Sequence, residues 1–191
     1  MSESTLAVRD WDGLTIPAPG TYTLDAAHTR VGFVVKHMMV SKVRGHFGEY
    51  EATITIAENP LESSVTANIK TGSVDTGQEM RDNHLRTGDF FETEKFPAMS
   101  FTSTGISGHK GDTFTVAGEL TIKDVTRPVE LTVELEGTAL SPYGQQVFGF
   151  TATTEIDRED FGLNYNQALE TGGVLVGKKV KIEIEGEAVR A

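Results

Sequence analysis

The chain has no cysteine among its 191 residues, which excludes a disulfide scaffold, a thiolate metal site and a cysteine nucleophile together. Positive charge is scarce: 17 Lys and Arg stand against 28 Asp and Glu, for a net charge of −11. Phosphate backbones are held by clustered Lys and Arg, so this balance argues against nucleic acid as a partner. No apolar run approaches the ~20 residues of a membrane-spanning helix. Residues 1–19 carry Glu3, Arg9, Asp10 and Asp12 among scattered apolar positions and lack the apolar core of a secretory leader. From the chain as given, a cytoplasmic protein is expected.

Catalytic signatures are missing as well. There is no GxSxG elbow, no GxGxxG, no P-loop and no HExxH spacing, so neither a serine hydrolase, a nucleotide cofactor nor a zincin has support. His28, His37 and His46 are spaced by nine residues, an odd number that places successive members on opposite faces of a strand, and no metal is expected from them. Carboxylates are abundant, but acid–base catalysis needs two that converge with separated pKa values, and spacing does not display that. Glu159 and Asp160 read as solvated turn residues. No cofactor is expected, and the chain is read as a non-enzyme.

What the sequence does contain is alternation with period two, the mark of half-buried strands. Val129, Leu131, Val133 and Leu135 alternate with Glu130, Thr132, Glu134 and Glu136. Val180, Ile182 and Ile184 alternate with Lys and Glu, and Phe114, Val116, Leu120 and Ile122 with Thr, Glu and Lys. Weaker patterns run elsewhere. Together they predict eight long strands near 29–38, 44–57, 63–70, 97–106, 113–123, 127–139, 146–157 and 178–189, with a short opening strand at Tyr22 and Leu24. Turn-forming residues at Glu58-Asn59-Pro60, Gly108–Asp112 and Ser141–Gly144 separate several of them.

One segment breaks the pattern. Thr76-Gly77-Gln78-Glu79 has the form of a capping box and predicts a short helix over 78–86, with Met80 and His84 one turn apart and Gly88 as its stop. Strands with polar outer faces and a single helix leave nothing to cover the apolar faces except the sheet itself, packed as a barrel or a sandwich; an all-β antiparallel barrel of eight strands is the favoured expectation. Gly118, Ala52, Ala67, Gly186 and Ala188 fall on the apolar parity of their strands. Small residues there leave an open lumen, or large neighbours fill it; alternation leaves both standing.

The same residues carry a resemblance. Thr29-Arg30-Val31-Gly32-Phe33, His37 and Gly45-His46-Phe47-Gly48 resemble the opening of the YceI family. Ser73–Thr76 with Arg81–Arg86, Asp89-Phe90-Phe91 and Phe96–Phe101 are similar to its central signature. Gly118–Ile122 with Val125–Val129, and Arg158–Gly162, complete it in the right order. The resemblance covers about residues 20–190 and implies a lipocalin-like barrel with a long hydrophobic pore for a polyisoprenoid or another long-chain amphiphilic lipid. It divides the chain into an N-terminal extension, 1–19, and a barrel domain, 20–191. Many relatives carry a secretory leader where this chain has an acidic segment containing Trp11, which is expected to pack on the outside or end of the barrel.

A lipid pore needs a dry wall and a few polar groups at one mouth. Phe33, Val35, Met99, Phe101, Phe148 and Phe150 are candidates for the wall, with ordinary core packing as the plainer role. Phe47, Phe90 and Phe91 sit beside turns and are candidates for a rim or a plug. The segment from Phe161 to Gly177 has the length of a lid, with Phe161 and Tyr165 directed inward. Met80, His37, His84 and Arg81 fall near the pore, the histidines able to meet a headgroup and Arg81 and Arg158 a phosphate or carbonyl oxygen. For Arg81, as for Arg158, ion pairing with acidic neighbours is the plainer use. The partner expected is therefore a long-chain lipid held by a soluble carrier, with at most transient membrane contact. Homodimerisation is left open. An enzyme acting on bound lipid and a filled-barrel interaction module are the alternatives.

Overall fold

The computed structural model describes residues 5–191; Glu3 and the other opening residues of the 1–19 segment lie outside the described residues. In chain order the elements are β1 (Val8–Trp11), β2 (Leu14–Pro17), β3 (Gly20–Leu24), β4 (Arg30–His37), β5 (Ser41–Phe47), β6 (Tyr50–Ile56), β7 (Ser64–Lys70), β8 (Val74–Asp75), α1 (Glu79–Leu85), β9 (Ala98–Lys110), β10 (Thr113–Ile122), β11 (Val125–Leu140), β12 (Gln146–Asp157) and β13 (Val176–Arg190). Among the described residues α1 is the one α-helix, and no helix is long and apolar enough to cross a membrane.

Eight strands close a ring in the order β12-β11-β10-β9-β7-β6-β3-β13, with β13 returning to β12. Every pairing is antiparallel. Closure leaves the ring no edge and buries one face of every strand. β13 pairs with β12 from Asp157↔Lys179 to Val147↔Val189. Its other side is shared: β4 takes Val176–Glu185 and β3 takes Ala188–Arg190. The β4–β5 hairpin and β8 continue the wall from this fork toward one end.

The structure corrects the predicted strand list in two places. The stretch 44–57 is two strands, because the inward set switches from odd positions (Val43, Phe47) to even ones (Ala52, Ile54), which one strand with one inner face cannot accommodate. The chain turns at Gly48-Glu49, where the Gly48 amide donates to the Ser73 carbonyl at 3.1 Å. And the ring closes through the short opening strand β3, not through the long β4, which stands beside it on β13.

The helix is also built differently. It spans Glu79–Leu85 with Gln78 as an N-cap that makes no side-chain cap bond. The Thr76 hydroxyl donates instead to Asp82 Oδ1 at 2.6 Å, and that same oxygen accepts from the Thr76 amide at 2.9 Å. The expected capping box is thus replaced by a buried carboxylate reaching back from inside the helix. Gly88 is not the stop: Arg86 ends the helix in right-handed conformation, its amide shared between the Asp82 and Asn83 carbonyls.

The antiparallel order gives the barrel two distinct ends. At one lie the turns at 57–63, 111–112 and 141–145; at the other lie the β4–β5 turn, α1 and the connection 158–175. β1 and β2 form a hairpin at the first end. Asp12 (φ 48°) and Gly13 (φ 78°) make its two-residue turn, and two left-handed residues match the twist of the flanking strands.

Candidate functional site

Inside the barrel the wall side chains do not meet across the middle. The inward residues of β11, Val129, Leu131, Val133 and Leu135, alternate with exposed neighbours yet remain only half-buried themselves, because they face open space. That space is a cavity of about 280 Å³. A second cavity of about 430 Å³ lies toward the helix end, under α1 and the 161–175 connection. Phe33, Phe47, Met99, Ile122 and Ile182 line both, so the two chambers of the lumen adjoin at these five side chains.

Glycines explain how a wall so rich in phenylalanine stays open. Phe33 registers with Gly45 and Phe150 with Gly186 on the adjacent strands, and Phe101 lies diagonal to Gly118. Each ring fills the site that a Cβ on the glycine would occupy. The rings therefore lie along the wall and leave the centre free, which reconciles both readings of the small inward residues.

The first chamber is almost wholly apolar and holds Phe101, Phe148 and Phe150. The second mixes apolar residues with His37, Thr76, Gln78, Arg81, His84 and Arg158. Arg81 is aimed by Thr76, donating from Nε to its hydroxyl at 2.6 Å and from Nη2 to its carbonyl at 2.8 Å. His84 Nε2 sits 2.8 Å from Asp89 Oδ2, and the His84 ring packs edge-on against Tyr165 at 4.8 Å and Phe90 at 5.2 Å. Val35, Met80, Phe91 and Tyr165 complete this wall. Met80, with Met38, Met39 and Val40 of the β4–β5 turn, leaves an exposed apolar rim at this end.

Arg158 is buried, at 5% exposure. Its guanidinium donates to the carbonyls of Gly177 (2.8 Å), Leu163 (2.6 Å) and Val176 (3.3 Å). Burial pulls its pKa below the ordinary arginine value, against the opposing fields of Glu159 and Asp157. Those two carboxylates pair instead with Lys178 at 3.3 Å and Lys179 at 3.8 Å. Neither Arg81 nor Arg158 therefore forms the ion pair that the acidic composition suggested, among the described residues.

Every candidate residue named from the sequence lies on one chamber wall or both, except Phe161. It is 2% exposed and packed into the core, because the 3-10 turn Arg158–Phe161 ends at Gly162 in left-handed conformation (φ 78°) and redirects the chain. Tyr165 alone of the two aromatic lid residues faces the pore. Arg158 meets carbonyl oxygens of its own chain, and the features that escaped the sequence reading include Leu163 beside it and Ile16 with Pro17 of β2, which line the far end of the first chamber. The histidines scatter, with His37 at the second chamber and His28 on the β3–β4 connection, lining neither chamber, where Asp25 holds its ring at 2.8 Å.

Comparison with known proteins follows the same outline. A family model described as a YceI-like domain matches residues 22–188. A UPF0312 protein of Staphylococcus aureus (strain MSSA476) is 42% identical over 168 residues, covering 87% of this chain and 95% of that protein. The Campylobacter jejuni YCEI protein superposes with a TM-score of 0.70 at 34% identity, over 89% of this chain and 98% of its own. A Saccharophagus degradans domain described as polyisoprenoid binding and implicated in plant cell wall breakdown shares the fold, with a TM-score of 0.68 at 17% identity, over 89% and 98%. The chain belongs to the YceI family.

Proposed function

We propose that this protein is a binding or carrier protein for one long-chain amphiphilic lipid, a polyisoprenoid in preference to a fatty amide or fatty acid. The observation that carries the reading is the apolar space inside the barrel, faced by inward side chains that remain only half-buried. Its two chambers differ in the way an amphiphile does. The tail lies in the chamber of Phe101, Phe148 and Phe150, and the headgroup in the one with Arg81, His84 and Arg158. A phosphate or carbonyl oxygen suits two arginines that have no carboxylate contact. The description of the Saccharophagus domain supports the choice of lipid class. Burial of the tail contributes about 0.8 kcal/mol per CH₂ before ordering costs are subtracted. A filled barrel does not fit half-buried inward residues. The exposed Met38, Met39, Val40 and Met80 rim suits lipid exchange in transient contact with a membrane.

The test is direct. Purified protein extracted into organic solvent yields a long-chain lipid by mass spectrometry, and delipidated protein takes up a graded series of prenols with affinity rising with length. An empty extract together with no uptake of any member would overturn the reading.

A further inference from the structure

We infer that the N-terminal hairpin is the tail stop of the pore, the element that fixes the longest chain the lumen accepts; this rests on the lipid-binding reading above. The hairpin lies across the barrel end remote from α1 and is fastened to several strand ends around that rim. The Arg9 guanidinium donates to the Ala57 and Glu58 carbonyls just after β6. Trp11 packs across the β9–β10 turn, its ring 4.5 Å from His109 and 6.3 Å from Phe114. The Ala7 amide donates to Gln146 Oε1 at the start of β12 at 2.7 Å, and Gln146 Nε2 returns to the Thr5 carbonyl at 2.7 Å. Anchors on three separate strand connections hold a short two-stranded ribbon that has no stability of its own.

What the hairpin turns toward the pore is apolar. Ile16 is 2% exposed and, with Pro17, lines the first chamber beside Leu24, Ile56 and Phe148. Arginine and histidine line the opposite chamber and are absent from this one. A lipid oriented by those polar groups has its tail end at Ile16. The hairpin also precedes residues 22–188, the stretch matched by the family model, so the stop is a segment added to a barrel that is complete in its paired strands without it.

The experiment measures dissociation constants of delipidated full-length protein for all-trans prenols that lengthen by one isoprene unit. Three variants are compared with the natural sequence: Ile16→Ala, which shortens the stop; Ile16→Trp, which lengthens it; and Arg9→Ala with Trp11→Ala, which unfastens it. Affinity in the natural protein rises with length and then drops at a limiting chain. Ile16→Ala and the double variant move that limit to longer chains, with a gain of at least about tenfold for the first prenol beyond it, and Ile16→Trp moves it to shorter ones. Prenols well below the limit bind within about twofold in the Arg9→Ala, Trp11→Ala double variant, whose residues line neither chamber. If the natural protein binds prenols but the limit stays fixed in folded Ile16→Ala and Ile16→Trp proteins, the stop is refuted and the lipid reading stands. If the natural protein binds no prenol at all, both fall.

Discussion

Phe150 and Gly186 face each other across β12 and β13, and the ring occupies the glycine's missing side chain: a Cβ at position 186 would stand 2.5 Å from Phe150 Cζ. Phe33 over Gly45 and Phe101 over Gly118 repeat the relationship on other strands. The pore is open because its largest side chains are stored against its wall.

Gly186→Ala therefore displaces Phe150 into the lumen. The overpacking destabilises the empty protein by roughly 1–3 kcal/mol and weakens binding of long tails. Adding Phe150→Leu restores both, since a smaller side chain no longer competes for the seat. Urea denaturation and lipid titration of the single and double variants check this, and equal behaviour of the two variants would contradict it.

Filling the tail chamber should separate binding from folding. Ala67 lies opposite Ala52 across β6 and β7 and faces the first chamber. Ala67→Trp places an indole in open space, so the barrel keeps its circular dichroism spectrum while the lipid recovered in an organic extract falls at least about tenfold. Unchanged lipid content would place the ligand elsewhere.

Arg158 ties the connection that covers the second chamber to β13, holding the carbonyl of Leu163 together with those of Val176 and Gly177. Arg158→Met leaves these acceptors without their donor and lowers stability by about 2–4 kcal/mol. Hydrogen exchange accelerates over 163–177 before it does in the ring strands. Arg158→Lys recovers only part of the loss, because an ammonium does not span all three oxygens. Denaturant midpoints and peptide-resolved exchange measure both effects.

His109 ties the hairpin to pH. One ring nitrogen faces the Gly111 carbonyl at 2.9 Å and the other the Asp12 carboxylate at 2.7 Å. Both partners only accept, so the doubly protonated ring satisfies both. The Gly111 carbonyl foremost, then Asp12, raise the His109 pKa above its ordinary value against the opposing effect of desolvation. A raised folded-state pKa means that the stabilisation is complete below the unfolded value, about 6.5, and is lost as pH rises through the higher folded value. Trp11, the single tryptophan of the chain, packs at a tilt against this ring. Its fluorescence should titrate with a midpoint above that of a free histidine, and His109→Gln should abolish the titration.

The barrel was legible because each strand has only one apolar face: Val129 to Leu135 name the inside of β11 by themselves. The division of 44–57 was written in the parity switch between Phe47 and Ala52, but a switch is read only once both residues are known to face inward. Closure through β3 had no comparable signal, since Tyr22 and Leu24 are too few to show a period and their pairing with β6 and β13 is long-range. Asp12-Gly13, a strong two-residue hairpin signal, lies between strands of four residues each, too short to show a period in the acidic opening segment. At the site, the aromatic wall followed from alternation. Arg158 did not, because a buried cation satisfied by carbonyls leaves no mark in the spacing of charges. Phe161 turned away because the left-handed Gly162 sets the chain direction there.

The fork in β13 gives the two ends of the barrel different walls. On that side the first chamber runs from β3 and β6 onto β4 and β5, while the second is bounded by β4 and β5 without β3 or β6. Substitutions in β3 or β6 therefore reach the first chamber and leave the wall of the second in place. With a lipid bound as proposed, tail length is adjustable at fixed head preference, whereas changes in β4 or β5 act on both ends.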